Sequence, residues 1–472
     1  MMGPVNCDGV LPPRDRTADD KGSSLATAFA AAPTGLTATG MKFSGAVKKA
    51  TWVDVWYASS ESWFKADNSD GARFHYGKKW TGMDWSKQAF IEHELQEIRD
   101  AGISILVFDC TNGLHDFVVS RCRLIASLCP AYGLEFCVAV GNADDSGIDE
   151  RAKIVWDSLA SESSGCGDVY FKKDGKPAIV SYVTREQWNS LNKGTLTYLS
   201  RFTNLWSSGG EANADKWGWQ LDPAIGTVPS ADSMYVSGSL FWTPQNEAWC
   251  TSLAFLDYNF LVASKVSPDY LIVGAIDDVC ERNLWGRIDT AGAKKGNVLQ
   301  MRDIYGRLSS DFWYNRVCSW LSKDGPTVVS GGTLMDGCYH MRVSGTDMLL
   351  SVPGETYRDG APIQLVSSAR DTTDYMWLYH LGRDVYRIVR LSAGKSLAAA
   401  SGLLVQEYDR DSAHQFWRLK AMDNGSYAFS NVETGEWIGC SVSAQGTSIV
   451  LQPSAPAEGM VLDMEPVLLM RE

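Results

Sequence analysis

Three acidic residues crowd the end of a segment that has the pattern of a buried strand. The apolar run YLIVGAI leads into Asp277 and Asp278, and Glu281 follows three positions after Asp278. Two carboxyls in one low-dielectric pocket push their pKa values apart, so that one keeps its proton while the other is ionised. Glycoside hydrolysis needs such a pair, one to protonate the leaving oxygen and one ionised. The spacing therefore predicts catalytic carboxyls at this strand end.

Each acid is assigned a role on this basis. Glu281 is the candidate general acid/base, and Asp278 is its carboxylate partner. Asp277 is expected to orient the substrate or bind a hydroxyl group. Asp109 and Asp145 follow earlier strand-like runs, and they are the reserve candidates if the partner carboxyl lies across the barrel.

The same three acids are also consistent with two non-catalytic roles. Arg282 and Arg287 follow the acids, so the segment can instead be a salt-bridged junction between a strand and a helix. The acids can also hold Ca²⁺ or Mg²⁺, although the D-x-D-x-D-G loop spacing is absent. The sequence has no CxxC pair, HExxH motif or GxSxG elbow, which argues against a structural zinc site, a zincin protease and a serine hydrolase. We predict no metal and no cofactor.

Strand-like and helix-like runs alternate from Thr51 to about Trp320. The strand-like runs are 51–59, 103–113, 134–145, 176–183, 201–206, 232–238 and 269–278, and the helix-like runs include 86–102, with Ser86 as predicted N-cap, and 121–133. Such repetition predicts a parallel sheet, and this number of strands favours a (β/α)8 TIM-type barrel. A doubly wound sheet is the alternative, but no GxGxxG follows the first strand and no Walker loop occurs.

Several of these strand-like runs end in polar residues. In a parallel barrel the carboxyl ends of all strands open onto one face, where the chemistry takes place. Aromatic rings near such ends can stack on sugar rings. The predicted substrate-binding residues are Asn112, Asp145, His75, Trp219, Trp242 and Trp285.

The segment 336–468 has a different pattern, with short strand-like runs and turns. The motifs GCYHMRV, DVYRIVRL and GSYAFSNV align on Tyr339, Tyr386 and Tyr427, and two further strand-like runs follow each of them. Three degenerate copies of about 40 residues predict an internally three-fold β unit.

The closing motifs of these copies resemble those of ricin B-type β-trefoil lectins, which end each repeat in Q-x-W. QFW, with Gln415 and Trp417, matches fully, and YMW keeps the tryptophan as Trp377. The resemblance implies a β-trefoil of lectin type that binds carbohydrate. The aspartate that binds sugar in that family has no counterpart in the corresponding stretches LSV, LAAAS and IGCS.

The preceding region resembles the glycoside hydrolase family 99-like barrels, which include endo-α-mannosidases. The likeness rests on DAGISILVFDCTNG, on KKDGKPAIVSYV and on the late acidic residues. That family carries both catalytic carboxylates in N-E-W-x-E, which places Asp277 at the Asn, Asp278 at the first Glu and Glu281 at the second Glu. The spacing of the acids is kept, whereas the Asn and the Trp of the pattern are replaced.

Composition limits the remaining choices. The chain has 472 residues, enough for two or three domains. We divide it into a disordered or processed leader (1–45), a barrel (46–330) and a trefoil (336–468). It carries 43 basic and 56 acidic residues, which argues against a nucleic-acid partner. The sequence contains no run of about 18 apolar residues, so we predict no transmembrane helix.

Together these features predict a glycoside hydrolase, with endo action on α-linked glycans as one form, and an appended lectin-like module. Its partner would be a polysaccharide or a glycoprotein glycan, and we expect it to be secreted or surface-facing, although the N-terminus is a poor secretory signal. The alternative is a carbohydrate-binding protein that lacks activity, which the replaced Asn and Trp favour. Cys338 and Cys440 are candidates for a disulfide bond.

Overall fold

The computed structural model describes most of the chain. The described residues are 36–38, 41–57, 74–76, 79–81, 84–141, 145–209, 214–219, 221, 226–240, 250–278, 284–287, 301–352, 358–367, 374–439, 445–455 and 461–470.

Short strands and six helices build the part of the chain before residue 330, within these ranges. The strands are β1 (Leu36–Ala38), β2 (Lys48–Val53), β3 (Phe74–Tyr76), β4 (Lys79–Thr81), β5 (Ile105–Cys110), β6 (Glu135–Gly141), β7 (Lys172–Lys173), β8 (Lys176–Tyr182), β9 (Thr203–Ser207), β10 (Ser233–Val236), β11 (Ser239–Leu240), β12 (Cys250–Thr251), β13 (Tyr270–Val273) and β14 (Thr327–Val329). The helices are α1 (Gln88–Asp100), α2 (Asp116–Tyr132), α3 (Asp145–Val155), α4 (Arg185–Ser190), α5 (Leu253–Val266) and α6 (Phe312–Leu321).

Seven parallel strands form the N-terminal sheet, in the order β10, β13, β2, β5, β6, β8 and β9. The hairpin strand β7 pairs antiparallel with β8. β5 is buried along its whole length, β6 is buried beyond its first residue, and β8 is buried between its first two residues and its last. Strands that are covered on both faces consist of continuous apolar residues. These strands could therefore be predicted from the sequence.

The predicted (β/α)8 barrel is wrong. Among the described residues no pairing joins β9 to β10, so the sheet is an open half-barrel. The regular alternation also fails, because α4 has only six residues and no helix is described between β9 and β10. Strands make up 35% of the described residues and helices 25%. Apolar runs indicate where parallel strands lie, but closure depends on pairing between distant segments, which local patterns do not encode.

Helix α1 starts later than predicted. Its N-cap is Lys87, without a side-chain cap, whereas Ser86 donates its hydroxyl to Asp84 at 2.5 Å. The apolar spacing was correct, since Ile91, Leu95 and Ile98 are fully buried against the sheet.

The C-terminal part is all β in its described ranges, apart from one turn of 3₁₀ helix. Its strands are β15 (Gly337–Val343), β16 (Met348–Ser351), β17 (Ala361–Pro362), β18 (Gln364–Ser367), β19 (Met376–Gly382), β20 (Val385–Arg390), β21 (Lys395–Ala400), β22 (Leu403–Tyr408), β23 (Phe416–Ala421), β24 (Tyr427–Asn431), β25 (Trp437–Gly439), β26 (Val450–Gln452) and β27 (Leu462–Leu469).

Six of these strands close into a ring. Antiparallel pairs run from β15 to β19, β20, β23, β24, β27 and back to β15. Three further pairs, β16 with β18, β21 with β22 and β25 with β26, complete the three repeats. The aligned tyrosines Tyr339, Tyr386 and Tyr427 each lie in the first strand of a repeat, as their spacing predicts. The unit is trefoil-like in its architecture.

A buried hydrogen-bond network around Asp257 includes residues from both parts. Asp257 of α5 accepts two hydrogen bonds from Arg316 of α6, both at 2.8 Å, one at each carboxylate oxygen. Trp320 donates its indole N–H to Asp257 at 2.7 Å, and Tyr379 of β19 donates its hydroxyl at 2.8 Å. One continuous apolar core also includes Trp377, whose strand belongs to the C-terminal ring.

The segment predicted as a leader also contacts the rest of the N-terminal part. β1 lies within the segment predicted as a leader, and it pairs antiparallel with β14. Phe43, from the same segment, is buried with its ring against Phe260 of α5. No helix in the described part of the chain is long and apolar enough to cross a membrane.

Candidate active site: a buried acidic cluster

The carboxyl ends of three adjacent strands, β13, β2 and β5, bring acidic residues together. Asp54 directly follows β2, Asp109 lies near the end of β5, and Asp277 and Asp278 follow β13. Val53 is in register with Phe108, so Asp54 and Asp109 stand at successive matching positions of the two strands. All four side chains are buried. We call these four residues the acidic cluster.

Asp277 is held by hydrogen bonds on both oxygens. The main-chain N–H of Asp54 reaches Oδ1 at 3.0 Å and Oδ2 at 3.2 Å. The indole N–H of Trp85 donates to Oδ2 at 2.6 Å. The orientation of this carboxyl is therefore fixed by β2 on one side and by the segment before α1 on the other.

Asp109 has a matching environment. Its Oδ1 accepts the main-chain N–H of Thr111 at 2.9 Å, and its Oδ2 accepts the indole N–H of Trp56 at 3.0 Å. Trp56 is itself anchored, because Arg121 of α2 donates to its carbonyl oxygen at 2.9 Å.

Burial changes the acidity of both carboxyls. Desolvation, together with the charges of Glu94 and Asp109, raises the pKa of Asp277 to about 8, against the hydrogen bonds from Asp54 and Trp85. Desolvation also raises the pKa of Asp109, opposed by its bonds from Thr111 and Trp56. Near neutral pH Asp277 therefore holds a proton in a site shared with other acids.

Glu94 extends the acidic surroundings from the helix side. It is buried on α1, and desolvation raises the pKa of its carboxyl, against a hydrogen bond with His93 at 3.2 Å. Within the described residues no lysine or arginine forms an ion pair with Asp277.

Arg287 does not form the salt-bridged strand–helix junction that the sequence allowed. Its guanidinium binds Glu97 at 2.7 Å and Asp311 at 2.8 Å, neither of which belongs to the acidic cluster. Arg282 lies outside the described residues. Within the described ranges, no group of three or more His, Cys, Asp or Glu side chains could hold a metal ion.

Some predicted site residues fall outside what the structure describes. Glu281 and Trp242 are not among the described residues. His75 lies in β3 and Asp145 begins α3, but their side chains lie outside the description. Asn112 is exposed in the turn after β5, close in sequence to Asp109.

Two predicted aromatic platforms lie in the interior. Trp285 is 2% exposed, and its indole N–H donates to the carbonyl of Gly274 at 2.7 Å. Trp219 is 6% exposed, with its ring edge-on to Trp52. Both rings pack in the core, and neither presents a free face to solvent.

The motif residues of the C-terminal repeats are also interior. Trp377, Trp417 and Gln415 are fully buried. Trp417 donates its indole N–H to the carbonyl of Leu397 at 2.9 Å. Gln415 accepts the N–H of Arg410 at 2.7 Å and donates to the carbonyl of Tyr408 at 2.7 Å. These contacts hold one repeat together.

Sequence reasoning missed four residues of this site. Asp54, Trp56, Trp85 and Glu94 were not singled out, although Asp54 is an acid at the end of the first strand-like run. That position, next to an apolar run and between tryptophans, was a signal that could have been used. Glu94 offered no signal, because an acid in an amphipathic helix usually faces water.

Comparison with known proteins gives no family. No family model matches the chain, and no curated protein matches it. The identification with glycoside hydrolase family 99-like barrels is therefore wrong, because the parallel sheet is open and no family model supports it. Membership of the ricin B-type family is likewise not supported, although the three-fold β unit is present.

Solved structures resemble part of the chain. A designed three-fold symmetric protein, ThreeFoil, is 19% identical over 28% of this chain and all of its own, with a TM-score of 0.27. The Rhizoctonia solani agglutinin is 14% identical over 29% of this chain and all of its own, with a TM-score of 0.26. An exo-β-1,3-galactanase from Clostridium thermocellum is 17% identical over 30% of this chain and 32% of its own, also with a TM-score of 0.26. At these TM-scores the likenesses carry no argument about function.

Proposed function

We propose that the protein hydrolyses glycosidic bonds with carboxyl groups of the acidic cluster. The observation that carries the proposal is a buried carboxyl, Asp277, whose pKa is raised to about 8 beside a second carboxyl, Asp109. Glycosidases need one acid that stays protonated near neutral pH and one carboxylate that is ionised or becomes ionised.

In this reaction Asp277 is the proton donor to the leaving oxygen, and Asp109 is the partner carboxylate. The charge of Asp109 favours the protonated form of Asp277, and a proton on Asp277 in turn favours the ionised form of Asp109. Asp278 is fully buried next to Asp277, and Glu281 remains a proposed general acid/base. Endo action on α-linked glycans and a secreted or surface-facing location remain parts of this proposal.

A second candidate is carbohydrate binding without catalysis. The observation that favours it is the complete burial of Asp54, Asp277 and Asp278, since a catalytic acid must touch its substrate. In that case the acidic cluster stabilises the strand ends, and a polysaccharide or glycoprotein glycan binds elsewhere.

The test is hydrolysis of a panel of α- and β-linked glycans, including mannans and mucin-type chains. The variants are Asp277→Asn, Asp109→Asn and Glu281→Gln, with Asp116→Asn as a control that changes an exposed acid at the start of α2. Circular dichroism checks the fold of each variant.

We expect the Asp277 and Asp109 variants to lose at least a hundredfold in rate, because general acid–base catalysis contributes about 10²–10⁴-fold. The control should keep the wild-type rate. Loss confined to Glu281→Gln would move the acid role to that residue. Binding without hydrolysis of any glycan would favour the second candidate.

A further inference from the structure

We propose that Trp56 and Trp85 are positioning residues that act separately, Trp56 on Asp109 and Trp85 on Asp277, each through one indole N–H. The inference deepens the proposed function and rests on it, because it concerns the same two carboxyls. It adds residues that control which carboxyl keeps the proton.

The two carboxyls are held in the same way. Each receives one main-chain N–H and one indole N–H, and at Asp277 the main-chain N–H is shared between both oxygens. For Asp109 the distances are 2.9 Å from Thr111 and 3.0 Å from Trp56. For Asp277 they are 3.0 Å from Asp54 to Oδ1 and 2.6 Å from Trp85 to Oδ2. With both oxygens pinned, neither carboxyl can rotate without losing a bond.

The two indoles are held by different contacts. The ring of Trp85 is fully buried and meets Phe90 of α1 edge-on at 5.2 Å between centroids. The ring of Trp56 lies 4.3 Å from that of Tyr57, and Arg121 of α2 holds the carbonyl of Trp56. Because each ring has its own support, removal of one indole should leave the other hydrogen bond in place.

An N–H donor stabilises the ionised form of a carboxyl. Asp54 after β2 and Asp278 beside it in the chain are buried in the same cluster as Asp277. Burial and the charges of Glu94 on α1 and Asp109 on β5 favour the proton on Asp277, whereas the N–H donors of Asp54 and Trp85 oppose it. The indole of Trp85 therefore lowers the pKa of Asp277, and the indole of Trp56 lowers that of Asp109.

The test measures the titration of each carboxyl directly, without substrate. Protein labelled with ¹³C at the aspartate carboxyl carbon is titrated by NMR as wild type, Trp85→Phe and Trp56→Phe, with signals assigned from Asp277→Asn and Asp109→Asn. Trp285→Phe is the matched control, because that buried indole donates to Thr51 Oγ1 at 3.0 Å and to the carbonyl of Gly274, and to no carboxyl among the described residues.

We expect Trp85→Phe to raise the pKa of Asp277 by about one pH unit. A hydrogen bond to a charged group stabilises that group by about 1.5–3 kcal/mol, and one pH unit corresponds to about 1.4 kcal/mol. The pKa of Asp109 should change far less in that variant. Trp56→Phe should raise the pKa of Asp109 and leave Asp277 nearly unchanged. Trp285→Phe should move neither. Equal movement of both carboxyls in each variant, or no movement in any, would overturn the inference.

Two provisions keep this test decisive. If Trp85→Phe does not fold, benzothienylalanine at position 85 removes the N–H and keeps the size of the ring. If no glycan is hydrolysed but the titrations move separately, the positioning roles stand and the proposed reaction fails. If glycans are hydrolysed and the titrations do not move, the reaction stands and the inference fails.

Discussion

Asp257 and Asp277 are both fully buried, and both accept a hydrogen bond from a tryptophan indole, yet their charged neighbours differ. Asp257 forms a bidentate ion pair with Arg316 and accepts a hydrogen bond from the hydroxyl of Tyr379. Among the described residues, Asp277 accepts hydrogen bonds only from N–H groups, and the charges that act on it are those of acids.

The difference separates a structural carboxylate from a reactive one. A buried carboxylate paired with arginine keeps its charge and holds two elements together. A buried carboxyl surrounded by other acids changes its charge near neutral pH, which is the property that acid–base chemistry uses. The comparison therefore predicts that changes at Asp257 alter stability at every pH, whereas changes at Asp277 alter how stability depends on pH.

The largest effect is expected for Arg316→Leu. The substitution leaves the carboxylate of Asp257 buried without a counter-charge, which costs about 3–5 kcal/mol of unfolding free energy. Urea denaturation measures the loss. Arg99→Ala is the control, because it breaks an exposed pair with Asp100 at 3.3 Å and should cost no more than about 0.5 kcal/mol.

A double variant, Asp257→Leu with Arg316→Leu, sharpens this prediction. It removes both charges, so it should be more stable than Arg316→Leu alone. If Arg316→Leu lost no more stability than Arg99→Ala, the pair would not be what holds α5 and α6 together.

A smaller effect is expected for the pH dependence of stability through Asp277. Its pKa is about 8 in the folded protein and 3.8 in a model compound, so between these values the folded state holds a proton that the unfolded chain has released. Stability from this group is complete below pH 4 and falls as pH rises, by about 1.4 kcal/mol per pH unit.

Asp277→Asn removes this dependence. Urea denaturation at pH 5, 6 and 7 should therefore give a flatter profile for the variant than for the wild type, with a difference of nearly 3 kcal/mol across the interval. Parallel profiles would show that Asp277 does not hold a proton at neutral pH.

The smallest effect is expected for Trp320→Phe. The variant removes the indole donor of Asp257 but leaves Arg316 and Tyr379 in place, so the cost should be about 1–3 kcal/mol. The loss should be the same at pH 5 and pH 7, unlike the changes at Asp277. A loss that grows or shrinks by more than the error between these pH values would erase the contrast between the two aspartates.

The sequence predicted much of the fold where local patterns decide it. The runs 103–113, 134–145 and 176–183 contain β5, β6 and β8. They could be predicted because strands buried on both faces consist almost entirely of apolar residues. The three-fold β unit followed from repeated tyrosines. The number of paired strands and the closure of the sheet did not follow, since they depend on contacts between distant segments.

The site was predicted in part for the same reason. Asp109, Asp277 and Asp278 were found because each ends an apolar run. Trp219 and Trp285 were predicted to face substrate, whereas both are interior in the structure, because a sequence does not reveal which side of a strand end a ring will take. Trp56 and Trp85 matter through single N–H groups, which composition cannot distinguish from packing.

The network around Asp257 has a consequence for the history of this chain. A domain tethered by a linker can be gained, lost or exchanged between genes with little effect on its neighbour. Here the hydroxyl of Tyr379 from the C-terminal ring completes the hydrogen bonds of a carboxylate on α5, and Trp377 lies in the common core. A shuffling event at this boundary would leave a buried charge short of a donor and open an apolar face, so the two parts are expected to be inherited together.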